Sequence, residues 1–171
     1  MVENLVVLFK NTYDVNQILM KYGKDILCSP GMQAEHQFIQ HGKTTVYEHS
    51  VGVACLSVKI SRCLHLNVDE RALVRGALLH DYFLYDWHVP EKYHKWHGFR
   101  HPGFALKNAR RDFLIGEIEK DIIKKHMFPL TVIPPCYKES LLVCIADKIC
   151  ALLEIEFCRK IQKYIKKANV F

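Results

Sequence analysis

The chain has 171 residues, half of them hydrophobic, and 24 Lys and Arg against 18 Asp and Glu give it a formal net charge of +6. That length and apolar content suit one compact domain with a sizeable core and leave no room for a second full domain. Nowhere do about eighteen apolar residues run together, and the opening MVENLVVLFK carries neither a basic leader nor a small-residue cleavage site, so a soluble, cytoplasmic protein without a membrane partner is expected.

There is no internal repeat, low-complexity stretch or Gly/Ser linker, and the apolar period is close to 3.6 residues, which predicts an all-α domain. Residues 3–22 and about 31–41 read as two opening helices, a scaffold over residues 1–44, separated by Gly23 and by Ser29-Pro30-Gly31. Thr45 followed by Glu48 fits a capping box and starts the next helix. There Val46, His49, Val53, Leu56, Ile60 and Cys63 form one stripe, so His49 faces the core from the first turn. Asn67 and Glu70 make a similar start for a helix whose Leu73, Val74, Ala77 and Leu78 lead onto His80 and Asp81.

Residues 82–101, YFLYDWHVPEKYHKWHGFRH, break the period and read as a lid-like loop with Pro90 and Gly98. His101 precedes Pro102, which predicts an N-cap position for His101 on a helix running to about Arg111. Ile115, Ile118, Ile122 and His126 then recur at helical spacing until Pro129. The last helix, about Lys138 to Lys163, is nearly continuous in apolar residues from Leu141 to Leu153 with Asp147 in the middle, and residues 155–171 form its basic end.

An unpaired ionised carboxylate in an apolar helix costs several kcal/mol, so a buried aspartate asks for a cation, donors or a metal. Taken singly, each of these residues has a plain explanation: a core histidine is more often satisfied than a ligand, and Asp147 needs only one cationic partner. Together, five helical segments each end or centre on an inward His or Asp: His49, the pair His80-Asp81, His101, His126 and Asp147. Metal ligation accounts for the set more economically than five separate coincidences. Imidazole and carboxylate ligands suit iron, manganese, zinc or cobalt, one or two ions. The seven cysteines, an odd number without any Cys-x-x-Cys, read as reduced core thiols and not as zinc ligands or a disulfide framework.

From about Thr45 to Glu154 the chain resembles the HD-domain superfamily of metal-dependent phosphohydrolases, whose pattern is a His, a His-Asp pair and a distant Asp on helices. His49, His80, Asp81 and Asp147 take those places in order. His101 and His126 fall where some branches add two histidines for a second metal, as in the cyclic-di-nucleotide phosphodiesterases and the di-iron oxygenases similar to myo-inositol oxygenase. The resemblance implies a single helical domain with a two-metal centre bridged by Asp81. The Gly-Tyr-Pro signature of the cyclic-di-nucleotide branch is missing; Tyr82-Phe83-Leu84 follow the pair instead.

What the resemblance implies for activity is hydrolysis of a phosphomonoester or phosphodiester of a nucleotide or small phosphorylated metabolite, with Asp81 and His80 at the metal and Asp86 as an acid for the leaving group. Phosphate contacts are expected from Lys148, Arg100 and Lys95, with Lys92 nearby, and base stacking or substrate contact from Trp87, Tyr85, Trp96 and His88. Each of these side chains equally suits a core cover or a solvated face. A loop-built metal site from His88, His94 and His97 is the weaker arrangement, because irregularly spaced loop residues hold an ion less firmly than packed helices do. Competing functions are a di-iron oxygenase and a non-catalytic metal-binding regulatory module. The positive balance alone makes a poor case for nucleic acid as partner.

Overall fold

The structure, a computed structural model, describes residues 12–41, 44–87 and 96–153. Those residues form seven α-helices, one 3-10 turn and one two-stranded antiparallel sheet, so the fold is all-α. No helix among them is long and apolar enough to cross a membrane.

Helix α1 (Thr12–Leu27) continues through Gly23 instead of stopping there. Gly23 is buried, and a Cβ at this position would run into Leu78 Cδ1 and come within 3.3 Å of Val74 Cγ1, so the glycine permits a close helix crossing where a break was expected. Helix α2 (Pro30–Ala34) starts on Ser29, whose hydroxyl accepts from Met32 N at 3.2 Å, with proline in its first turn. The expected second helix ends there. A 3-10 turn (Glu35–Gln37) leads into β1 (Ile39–His41), which pairs with β2 (Thr44–Thr45) as Ile39 to Thr45 and His41 to Thr44. Phe38, Ile39, Thr44 and Thr45 favour extended backbone, and that preference prevails over the helical period.

Helix α3 (Val46–Cys63) begins with the expected capping box: Glu48 N donates to Thr45 Oγ1 at 3.2 Å, and Thr45 N donates to Glu48 Oε2 at 3.1 Å. It is buried around almost its whole circumference for four turns and packs on α1, on α4 (Glu70–Leu79) and on α7 (Lys138–Leu153). The N-cap of α4 is Asp69 and not Asn67; its carboxylate accepts from Ala72 N at 2.9 Å, and Asp69 N donates to Glu139 Oε1 of α7. Gly76 lets α4 approach α6 (Glu117–Lys125): a Cβ there would stand 3.0 Å from Ile122 Cβ and 3.1 Å from its Cγ2.

Helix α5 (His97–Asp112) starts five residues earlier than expected, so His101 lies in its second turn and not at the N-cap. Pro102 is therefore inside the helix, where it has no N–H to give to the preceding turn. The entry to α5 is made by Trp96 in left-handed backbone, φ 64°, without a side-chain cap. The expectations for residues 3–11 and 155–171 lie outside the described residues. Among the described cysteines, Cys55, Cys144 and Cys150 are buried and Cys28, Cys63 and Cys136 exposed, all with free thiols.

Candidate metal centre

Each candidate ligand sits where its helix faces the middle of the bundle: His49 in the first turn of α3, His80 at the C-cap of α4 with Asp81 next to it, His101 in α5, His126 at the C-cap of α6, and Asp147 in the middle of α7. All six are buried or nearly so. Their donor atoms fall into two triads, His49–His80–Asp147 and Asp81–His101–His126, each gathered within 4.8 Å. Asp81 joins them. Its Oδ2 faces the first triad, 3.5 Å from His80 Nε2 and 3.9 Å from His49 Nε2, while its Oδ1 lies 3.0 Å from His101 Nε2 and 3.4 Å from His126 Nε2. Asp147 Oδ1 stands 3.1 Å from His49 Nε2 and 3.7 Å from His80 Nε2.

The backbone settles which imidazole nitrogens carry protons. Nδ1 of His80 lies 2.7 Å from Ala77 O, Nδ1 of His101 3.0 Å from His97 O, and Nδ1 of His126 2.9 Å from Ile123 O. A carbonyl only accepts, so in all three rings Nδ1 donates, and in the neutral form Nε2 presents its lone pair to the centre. Two of those lone pairs confront each other, His101 Nε2 to His126 Nε2, at 2.7 Å. His80 Nε2 and Asp81 Oδ1 are buried with no hydrogen-bond donor of their own. Electron pairs converging in a dry interior repel unless a proton or a cation lies between them, so the donor set fits divalent metal.

The electrostatics carry the same pattern. Burial pushes the Asp81 carboxyl up, but the neighbouring imidazoles of His80 and His101, with His126 beside them, outweigh it and hold Asp81 well below the usual range. Burial likewise raises Asp147, and His49 and His80 overcome that and hold it low. His80 is lowered by burial yet ends above its ordinary value because Asp81 and Asp147 favour its proton. Burial leaves His126 below its ordinary value despite Asp81.

Two residues without a place in the sequence reading join this centre. Gln40 of β1 is buried and donates from Nε2 to Asp81 Oδ2 at 2.5 Å. Glu35 of the 3-10 turn is fully buried with no hydrogen-bond donor on either oxygen, and burial followed by the charge of Asp81 drives its carboxyl well above the usual range. Their segment reads as helix in sequence, and only the turn into β1 swings it over the centre.

A cleft of about 720 Å³ opens onto the centre. Asp81, His101, His126 and Asp147 line it, whereas His49 and His80 lie deeper. Of the expected substrate contacts, Lys148 and Trp87 line the cleft. Lys148 Nζ donates to His126 O at 2.8 Å and Cys144 O at 3.3 Å. The Trp87 ring stacks on His97 at 5.1 Å between centroids, and His97 stacks on His101 at 4.6 Å. Tyr85 shares a 2.9 Å hydrogen bond between its hydroxyl and His97 Nδ1, and its phenol is pushed up to about 12 by burial and by Asp81. His97 thus backs His101 and belongs to neither triad. Arg100 and Trp96 are exposed and Asp86 is half-buried; none of the three lines the cleft. His88, Lys92, His94 and Lys95 lie outside the described residues.

No curated protein and no solved structure matches the chain. A family model described as HD domain matches residues 46–152, from the first turn of α3 almost to the end of α7. That span contains all six inward donors, and the chain belongs to the HD domain family.

Proposed function

We propose that the protein is a metal-dependent phosphohydrolase that cleaves a phosphoester of a nucleotide or other small phosphorylated metabolite. The observation that carries this reading is the convergence of imidazole Nε2 atoms and two carboxylates in two adjoining triads at and below the floor of an open cleft. His49, His80, Asp147 and Asp81 Oδ2 would hold one cation; His101, His126 and Asp81 Oδ1 would hold a second. Bound there, divalent metal would lower the pKa of a coordinated water and neutralise charge on the phosphoryl oxygens.

The chain's own residues supply position. The carbonyls of Ala77, His97 and Ile123 fix three imidazole planes, and Gln40 steadies the Asp81 carboxylate. The cleft admits substrate from the side of His101 and His126. Lys148 is the cation best placed for a phosphoryl oxygen, while Asp86 does not line the cleft and has no part in this reading. Purified protein reconstituted with manganese or cobalt is expected to hydrolyse a generic phosphoester, and Asp81→Ala to abolish turnover. Equal rates in wild type and variant would refute the assignment.

The same six donors also favour a second reading, a di-iron oxygenase. It requires bound iron and oxygen consumption that depends on substrate, and an active iron-free protein excludes it. A metal-binding module without turnover would bind the cations and hydrolyse none of the esters.

A further inference from the structure

Resting on the phosphohydrolase reading of the centre, we infer that its substrate carries a single phosphate on an apolar, ring-sized alcohol. The cleft is built unevenly. Its floor is ionic, but beyond the ligands it is lined by Met127, Pro129, Leu130, Ala151, Trp87 and Gly98, with Gln40, His97 and Lys148 as the polar exceptions. Among the described lining residues Lys148 is the one ammonium or guanidinium group, and it is already held by two carbonyls and stands 4.0 Å from Asp147 Oδ2. Among the described lining residues a chain of phosphates would therefore find one cation beyond the metals, already shared, and the hydroxyls of a free sugar would meet mostly thioether, pyrrolidine and aliphatic carbon beside Gln40 and His97. A flat apolar group finds complementary surface on Trp87, Met127, Pro129 and Leu130.

Leu130 supports the same conclusion from the rim. It is 46% exposed although it belongs to the wall of a cleft, and it sits so close to α5 that a Cβ on Gly98 would come within 3.1 Å of its Cδ2 and 3.7 Å of Met127 Cε. Gly98 permits that close approach, and the leucine still leaves nearly half of its surface to solvent until something apolar covers it. About 720 Å³ is room for one phosphoryl group and a ring system of nucleobase size.

Two paired measurements on manganese-loaded protein test this. Binding of phenylphosphonate against methylphosphonate, by calorimetry, reports the apolar walls without any chemistry. Hydrolysis of 2-phenylethyl phosphate against ethyl phosphate reports them in turnover with leaving groups of similar basicity. A preference for the ring of about tenfold or more is expected in both, since tenfold corresponds to about 1.4 kcal/mol. Adenosine triphosphate is expected to bind no tighter than adenosine monophosphate. Leu130→Ser, a change at a partly exposed position, is expected to cut the phenyl-over-methyl preference several-fold with metal content unaltered, and Gly98→Val to cut it by pushing Leu130 out of place. Equal binding of the two phosphonates, tighter binding of the triphosphate, or a preference untouched in Leu130→Ser would overturn the inference. If no ester turns over while the phosphonate preference stands, the apolar site survives and the phosphohydrolase reading fails.

Discussion

Asp81→Asn tests the electrostatic argument of the centre directly. The amide keeps the size of the side chain, removes its charge and offers N–H groups where Asp81 Oδ1 now faces His101 Nε2 at 3.0 Å and His126 Nε2 at 3.4 Å. An imidazole lone pair that meets a carboxylate oxygen in the wild type meets a donor in the variant. Satisfying one such buried contact is worth about 1–3 kcal/mol, and in a chain of this length each kcal/mol moves the melting midpoint by about 2–4 °C. The metal-free variant is therefore expected to melt roughly 2–12 °C above metal-free wild type at about pH 8.

The sign depends on pH in a defined way. His80 has its folded pKa raised above 6.5, so the proton it holds between Asp81 and Asp147 stabilises the wild type fully below 6.5 and is lost as pH rises through the folded value. Asp81 and Asp147 have depressed folded values, so their contribution is present above 3.8 and is lost as pH falls toward them. His126, with its lowered folded value, contributes stability above 6.5 and partly offsets the loss of the His80 proton. Metal-free wild type is thus expected to lose stability below about pH 3.8 and, by the balance of the two histidines, to lose a smaller amount toward about pH 8. The Asp81→Asn change removes one of the two carboxylates that raise His80, so the variant's decline is shallower. Circular-dichroism melts in chelator across this pH range measure both effects. Excess manganese is expected to reverse the order, because only the wild type gains full binding energy from the metal. A chelated variant that melts below wild type at about pH 8 would show that Asp81 is held by permanent donors, and the convergence of lone pairs would be refuted.

Other outcomes follow from the same geometry. His101→Ala is expected to lower bound metal from two ions to one with the fold retained, whereas His49→Ala, deeper in the bundle, removes the other ion; elemental analysis of both distinguishes a two-triad centre from a single shared one. Gln40→Leu takes away a charge-assisted bond to a buried carboxylate and is expected to cost metal-free protein about 1.5–3 kcal/mol, with much of the loss restored on adding metal; denaturant titrations with and without manganese check this. Gly76→Ala drives a methyl into Ile122 and is expected to cost about 1–3 kcal/mol, with partial rescue by Ile122→Val, both read from thermal or denaturant melts.

Much of the centre was legible in the chain because helical spacing is a local property. The capping box at Thr45 and Glu48 sets where α3 begins, and from that point the 3.6-residue period alone directs His49 inward. The same period carries the apolar face of α4 to His80 and that of α6 to His126. Local rules misled where a long-range contact reversed them. Gly23 reads as a breaker, but packed under Leu78 it is the residue that lets α1 continue. His101-Pro102 reads as a helix start, but the helix already begins at His97, whose ring stacks on His101 and Trp87.

The sequence by itself determined an all-α domain and the inward direction of His49, His80 and His126, since both depend on periodicity and capping within single helices; His101, read as an N-cap, was placed by the tertiary structure. Tertiary structure alone decided that the six donors divide into two triads shared by Asp81, because the division depends on the distances between five helices. It also brought Gln40 onto Asp81 across 41 positions of chain, and it set Met127, Pro129, Leu130 and Ala151 around the ligands as an apolar wall. No local pattern encodes such a meeting: it arises when separate faces pack together, and the energy that holds it belongs to the assembled interior.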